Sequence, residues 1–259
     1  MTLQLLVAAV QKKPLALAEE MQIDSDAIIV SQRDDGGYEE IEYKGHKIRY
    51  FSMPDKGVGL NRNTALLHAE ADIIVFADED IVYCKDYAEK ILAEFEAHPK
   101  ADMLLFNVKA SEGRETYHTD KFGRVRWYTA GRYPTYSFAV KRDCIHKNNI
   151  TFSLLFGGGA KYSNGEDSLF LRDCLKSGLK VYRVPVHIGE EKYRESTWFS
   201  GYNEKFFFDR GVLYRYLYGA LAKIMAIRWL LKHKAELCKE ISVKKAYGIM
   251  RRGMKEAKK

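Results

Sequence analysis

A chain of 259 residues with 46% hydrophobic content can bury one sizeable core, or one core and a helical appendage, which excludes disordered and fibrous classes. Its formal charge of +7 is uneven, because residues 223–259 hold 12 Lys/Arg against 3 Asp/Glu and leave a mildly acidic body of 30 basic and 32 acidic side chains. Cys84, Cys144, Cys174 and Cys238 lack metal-ligand spacing, and no charged start with an apolar signal core opens the chain, so a reducing, cytoplasmic setting is expected.

Strand-like and helix-like runs alternate over the first hundred residues. Residues 3–10 read as a strand, Pro14 opens a short helix, and Ala27 to Ser31 forms a second strand. A third strand near Ile48 to Ser52 leads through Pro54-Asp55-Lys56-Gly57 into a helix over about 61–71, then a strand over 72–77. This is the rhythm of a parallel sheet with crossover helices. An amphipathic helix follows from Asp86 to Ala97, then a strand over 103–108. Residues 116–128 read as a hairpin with turn chemistry at Phe122-Gly123, and residues 136–140 as a further strand. Gly157-Gly158-Gly159 makes a flexible loop, a helix runs from near Gly165 to Gly178, and Leu179 to Val184 is again strand-like. Beyond Trp198 the chain turns aromatic and helical. Its apolar run 217–231 is interrupted by Lys223 and Arg228 and is too short to span a bilayer. A helix lying on a membrane surface and a helix packed on the main body both fit that pattern. The expected domains are residues 1–205 and 206–259.

Asp78 and Asp80 come straight after the apolar run 72–76. On an extended backbone residues i and i+2 share a side, so both carboxylates could hold one hard divalent cation, and that cation a diphosphate. The spacing is common in an acid-rich chain and recurs at Asp24/Asp26, Glu40/Glu42 and Glu94/Glu96. Only the buried strand before Asp78 sets this pair apart, since open α/β sheets bind ligands beyond the carboxyl ends of their strands. Gly165-Glu166-Asp167 is the second informative string. Acids in a first helical turn commonly just complement the helix dipole. Here they follow glycines, Gly158 among them, that let a ligand approach the backbone, and a carboxylate facing that loop could take a proton from a hydroxyl.

The order of Gly57-Val58-Gly59-Leu60-Asn61-Arg62-Asn63, then Phe76-Ala77-Asp78-Glu79-Asp80, then Gly165-Glu166-Asp167-Ser168-Leu169, resembles a family 2 glycosyltransferase over roughly residues 1–200. The run Glu195 to Phe199 with Gly201 to Lys205 is similar to bacterial members that build capsule or lipopolysaccharide sugars. The resemblance implies a GT-A fold, a Rossmann-like mixed and mostly parallel sheet flanked by helices, with a basic helical extension after it. It implies an inverting, metal-dependent transfer from a nucleotide-sugar to a saccharide acceptor on a lipid carrier. Asp80 would be the direct ligand of Mn2+ or Mg2+, and Asp78 would lie nearer the ribose or a metal-bound water. His187 falls where many members carry a third metal ligand. Asp167 would be the catalytic base, Glu166 would contact the acceptor or orient the loop, and Arg62 and Asn63 would lie near the nucleotide with Gly158.

Many members close the second strand with two aspartates, one of which reads the nucleobase. This chain has Ser31-Gln32-Arg33 there, and Gln32 could pair with a uracil edge, which makes a UDP-sugar the expected donor. Trp198 could stack on an acceptor sugar or serve as core. The basic C-terminal region is expected to meet an anionic membrane surface at the inner face of the cell membrane, peripherally. Two rivals are weaker. A sugar nucleotidyltransferase would carry a glycine-rich phosphate loop after its first strand, where Val10-Gln11-Lys12-Lys13-Pro14 has no glycine. A nucleic-acid-binding module does not explain the acidic body or Asp167.

Overall fold

The computed structural model describes residues 1–110, 117–192 and 201–257. Its elements in chain order are β1 (Leu3–Val10), α1 (Pro14–Glu20), β2 (Asp26–Gln32), β3 (Gly37–Tyr43), β4 (His46–Met53), α2 (Val58–Leu67), β5 (Ile73–Asp78), β6 (Ile81–Tyr83), α3 (Tyr87–Ala97) and β7 (Met103–Lys109). There follow β8 (Gly123–Arg124), β9 (Phe138–Lys141), α4 (Arg142–Lys147), α5 (Glu166–Lys176), β10 (Val181–Glu191), α6 (Glu204–Tyr218), α7 (Ala222–Lys232), α8 (Lys234–Leu237) and α9 (Val243–Glu256).

One ten-stranded sheet runs in the order β3-β4-β2-β1-β5-β9-β7-β10-β6, with β8 pairing β10. β4, β2, β1 and β5 are parallel neighbours, so their carboxyl ends share one edge. β9 is inserted antiparallel between β5 and β7, and β7 runs parallel to β10. The sheet is therefore mixed and mostly parallel, as the alternation of runs predicts.

Strand alternation divides the core in two. Leu5, Val7, Ile29, Val75 and Ala77 pack on one face with Leu17 of α1, Met21 just after it, and Ile91 and Phe95 of α3. Leu6, Ile28, Val30, Ile74 and Phe76 face the other way, against Ala65 and Leu66 of α2 and Phe170, Leu171 and Cys174 of α5. Parallel strands buried on both faces read as continuous apolar runs, which is why β1, β2 and β5 stand out in the sequence.

Three expectations need correction. β3 is not foreseen, because Gly37-Tyr38-Glu39-Glu40-Ile41-Glu42-Tyr43 is a mostly exposed, acid-rich edge strand in which only Ile41 and Tyr43 lean on the core. The hairpin over 116–128 is absent among the described residues. The amide of Asn107 instead accepts from the Thr119 N–H at 3.0 Å and donates to its carbonyl at 2.9 Å, and only Gly123–Arg124 pairs, with Tyr182 and Arg183 of β10. After Val125 the chain coils into a 3-10 turn, Trp127–Arg132. β10 does not stop near Val184 but continues to Glu191, past Pro185, with irregular register on β7.

The C-terminal helices are packed rather than loose. Val212 and Leu213 of α6 join Phe156, Tyr162 and Leu169 in a cluster on the main sheet unit, and Phe206, Phe207, Ala246, Ile249 and Met250 bind α6 to α9. α6 and α9 cross at Gly211 and Gly253. A Cβ on Gly253 would collide with the Phe208 carbonyl, whereas Gly248, also in α9, has open space around it. Gly253→Ala is expected to lower stability by about 1–3 kcal/mol through overpacking. Gly248→Ala is expected to raise it by about 1 kcal/mol through helix propensity. Urea unfolding of both variants checks the pair, and equal effects would contradict the crossing.

Candidate active site

Phe76 and Asp78 share a side of β5, so Asp78 leaves the sheet toward α2 and α5 at the carboxyl edge. Glu79 turns the opposite way, is buried, and accepts from the Val10 N–H at 2.8 Å. The acid-acid-acid string is thus split, with the middle residue tying β5 to the end of β1 and its neighbours half-exposed on either side.

α2 is pinned above the same edge. Asn61 Nδ2 donates to the carbonyls of Ala9 and Val30 at 3.3 and 3.2 Å, just before β1 and β2 end. The next residue, Arg62, is buried, with its side chain only 4% exposed. Its Nη2 donates to Asp78 Oδ1 at 2.6 Å and its Nη1 to Glu166 Oε1 at 3.0 Å, while its guanidinium lies 5.3 Å from the Phe152 ring centroid. Burial alone would lower the Arg62 pKa, but the charges of Asp78 and Glu166 raise it, so it is a fixed cation.

Glu166 and Asp167 open α5 after Gly165, whose φ of 117° is left-handed territory that suits glycine. Leu213 of α6 fills the space a Gly165 side chain would need, and Asp209 of α6 accepts from both the N–H and hydroxyl of Ser163 at 3.0 Å. A Cβ on Gly157 would press on the Glu166 carboxyl, so that glycine permits the loop to close on the site. The Gly158 carbonyl accepts from Val58 N–H at the start of α2, 2.9 Å away, so it serves the helix entrance.

Asp167 accepts from the Ser168 N–H. Burial, then the neighbouring Glu166 charge, pushes its carboxyl up to about 6, against the lowering pull of Ser168 and Arg62. Tyr136, half-buried after Pro134, has its phenol pushed above the ordinary value by burial and by the charges of Glu191, Asp78, Asp80 and Asp167. Asp78, Asp80 and Asp167 thus all act on this one phenol. Tyr136 and Glu191 are not among the residues expected from sequence. Glu191 escapes because β10 is longer than its apolar part, and Tyr136 because a lone tyrosine beside a proline carries no pattern.

Two expected residues sit elsewhere. His187 is exposed on β10 opposite Asn107, four residues before Glu191, which pairs with Ile81. Burial, then the charge of Lys90, lowers its pKa, with Lys109 and His118 adding to this and Glu190 opposing it. None of these is Asp78 or Asp80. The Asn63 side chain is spent on the backbone of Phe152, accepting from its N–H at 2.7 Å and donating to its carbonyl at 2.9 Å. Gln32 ends β2, opposite Val10, and lies buried at the carboxyl edge. Trp198 lies outside the described residues.

Asp78 and Glu166 share the one charge of Arg62, and Asp78, Asp80, Asp167 and Glu191 all act on Tyr136. Among the described residues no three His, Cys, Asp or Glu side chains close around a metal position. Magnesium-like ions are commonly held by one or two carboxylates with phosphate and water oxygens completing the shell, so Asp78 and Asp80 fit such an ion as a partial donor set.

The 1–349 fragment of TarS from S. aureus is similar in fold, at TM-score 0.63 and 13% identity, covering 99% of this chain and 82% of that one. The same fragment in complex with UDP-GlcNAc gives TM-score 0.63 and 15% identity over 96% of this chain and 76% of that one. No curated protein sequence matches. The fold is GT-A. The family model for glycosyl transferase family 2 matches residues 17–154, more than half of the chain, and the chain belongs to that family.

Removing Arg62 would leave Asp78 and Glu166 facing each other without a cation. Arg62→Met is expected to cost about 3 kcal/mol, the lower end for breaking a buried ion pair, because Asp78 stays partly solvated. Arg62→Lys should restore little, since an ammonium lacks the fork that spans two carboxylates. Urea unfolding measures both.

Asp167 gives a second expectation with a definite sign. Its folded pKa of about 6 lies above the ordinary value of about 3.9, so the folded state holds an extra proton between them. Its favourable contribution is complete below about pH 4 and is lost as pH rises through about 6. Asp167→Asn should therefore be more stable than wild type at pH 8, by about 2–3 kcal/mol, and indistinguishable from it at pH 4. Melting curves at the two pH values check this.

Proposed function

We propose that this glycosyltransferase moves a sugar from a UDP-sugar to a hydroxyl of a saccharide acceptor carried on a lipid at an anionic membrane face, in bacterial surface polysaccharide synthesis, with inversion at the anomeric carbon. One observation carries the reading: Arg62 joins Asp78, at the leaving-group side, to Glu166, the neighbour of Asp167. One similar TarS structure is a complex with UDP-GlcNAc and another a complex with UDP, which supports a uridine nucleotide here. Gln32 at the end of β2 supplies an amide donor and acceptor for a uracil edge.

Asp167 takes the proton from the acceptor hydroxyl as its oxygen attacks the anomeric carbon from the face opposite the leaving group. The new C–O bond forms as the bond to the diphosphate oxygen breaks, and that electron pair stays on the nucleoside diphosphate. A carboxylate near pKa 6 is ionised at neutral pH and a better base than an ordinary aspartate. Glu166 raises that basicity by its charge while Arg62 holds it in place. Mn2+ or Mg2+, held by Asp78 and Asp80, would neutralise the charge that develops on the diphosphate. Arg62, committed to two carboxylates, orders the pocket rather than gripping phosphate.

Nucleotide-sugars incubated with the protein and MnCl2 should show UDP release from at least one donor, abolished by EDTA and restored by excess metal. Turnover unaffected by EDTA would remove the cation from the scheme. Asp167→Asn should lower transfer by about 10²–10⁴-fold while UDP affinity stays near wild type by calorimetry. Transfer at the wild-type rate would discard Asp167 as the base.

A further inference from the structure

α7 is apolar on two opposite sides. Ala222, Ala226 and Leu230 recur at helical spacing and are buried in the cluster that joins α6, α7 and α9. Leu221, just before the helix, and Ile224, Ile227 and Leu231 stand 47%, 64%, 43% and 57% exposed. With about 100° per residue these four fall within an arc of about 120°, roughly opposite the buried stripe. Lys223 borders that arc on one side and Lys232 on the other, while Arg228 projects within it, between Ile224 and Leu221, and all three are exposed. α7 contains no acidic residue.

The rest of the C-terminal region does not share this pattern. The apolar face of α9, with Ala246, Ile249, Met250 and Met254, is already consumed by α6. No described helix is long and apolar enough to cross a membrane. An outward apolar stripe flanked only by cations matches a surface that is apolar within and anionic at its boundary, where lysine and arginine stems snorkel to phosphates.

The position of the stripe adds a second argument. A cleft of about 430 Å3 is lined by Trp127, Gly131, Arg172, Tyr218 and Gly219, and so ends two residues before Leu221. A Cβ on Gly131 would lie 3.9 Å from the hydroxyl of Ser168, the residue beside Asp167. Trp127, in the wall of this cleft, is 54% exposed, and tryptophan suits the water–lipid boundary.

We propose that α7 lies in the plane of an anionic bilayer surface, with Leu221, Ile224, Ile227 and Leu231 in the acyl boundary and Lys223, Arg228 and Lys232 at the headgroup phosphates. The cleft beside Trp127 then opens at the membrane and leads a lipid-borne acceptor toward Asp167. The proposal rests on the lipid-borne acceptor reading for its purpose, while the surface binding has its own test.

Full-length protein is sedimented with phosphatidylcholine vesicles, with and without phosphatidylglycerol, alongside Ile224→Glu/Ile227→Glu and Lys223→Gln/Arg228→Gln/Lys232→Gln variants. Wild type should pellet with the anionic vesicles, and the isoleucine variant should lose at least about tenfold in partitioning with unchanged melting and donor hydrolysis. The lysine and arginine variant should lose the preference for phosphatidylglycerol. Equal pelleting of wild type and the isoleucine variant would overturn the proposal. So would wild type that never pellets but forms a dimer, by light scattering, which the isoleucine variant dissolves. Pelleting without hydrolysis of any nucleotide-sugar would instead defeat the transfer reading and leave the surface standing.

Discussion

A single buried guanidinium holds the site in register. Arg62 bonds Asp78, at the end of a core strand, and Glu166, in the first turn of a helix a hundred residues further along. Such a cation is costly to desolvate, and its Nε has no hydrogen-bond partner, so its value lies less in net stability than in geometry. The flat fork meets two carboxylates at once and rests on Phe152, leaving it one arrangement. The strand end that carries Asp78 and the helix start that carries Glu166 and Asp167 are thereby kept from drifting apart.

Everything around Arg62 keeps that fork where it is. Asn61 caps the carbonyls near the ends of β1 and β2, Asn63 clamps the backbone of Phe152, and Glu79 anchors the turn after β5 through Val10. Asn61 and Asn63 flank Arg62 in sequence, and all three of these polar side chains are buried or half-buried. Their hydrogen bonds do for the backbone what apolar packing does further down the sheet, where strand ends no longer have neighbours on both sides.

The sheet was legible because its central strands are buried on both faces, so β1, β2 and β5 are unbroken apolar runs. Asp78, Asp80 and Asp167 were legible because they follow a strand end and a glycine-rich loop, and those places meet at one edge. Asn63 looks like a nucleotide contact because its neighbour Arg62 is basic, but a side-chain amide that pairs with both polar groups of one peptide leaves no trace in a sequence. His187 is expected as a ligand only because it falls where many members of the family carry one. The irregular register that carries β10 onward to Glu191 is a long-range property of its pairing with β7. β3 and the loop at Thr119 were hidden for the same reason, since an edge strand and a side-chain clamp owe their form to partners elsewhere along the chain.

The crossing of α6 and α9 has a consequence for how the molecule is made. Leu213 and Asp209 on α6 shape the Gly165 turn that presents Asp167, and α6 is closed on its other side by α9. On a growing chain the sheet can form first, yet the turn at Gly165 that opens α5 lacks its backing until α9 has emerged and docked. Long-range closure of this kind is slow relative to local helix formation. The turn that presents Asp167 would then gain its backing only after α9 docks, whereas the strand end that carries Asp78 needs only the sheet.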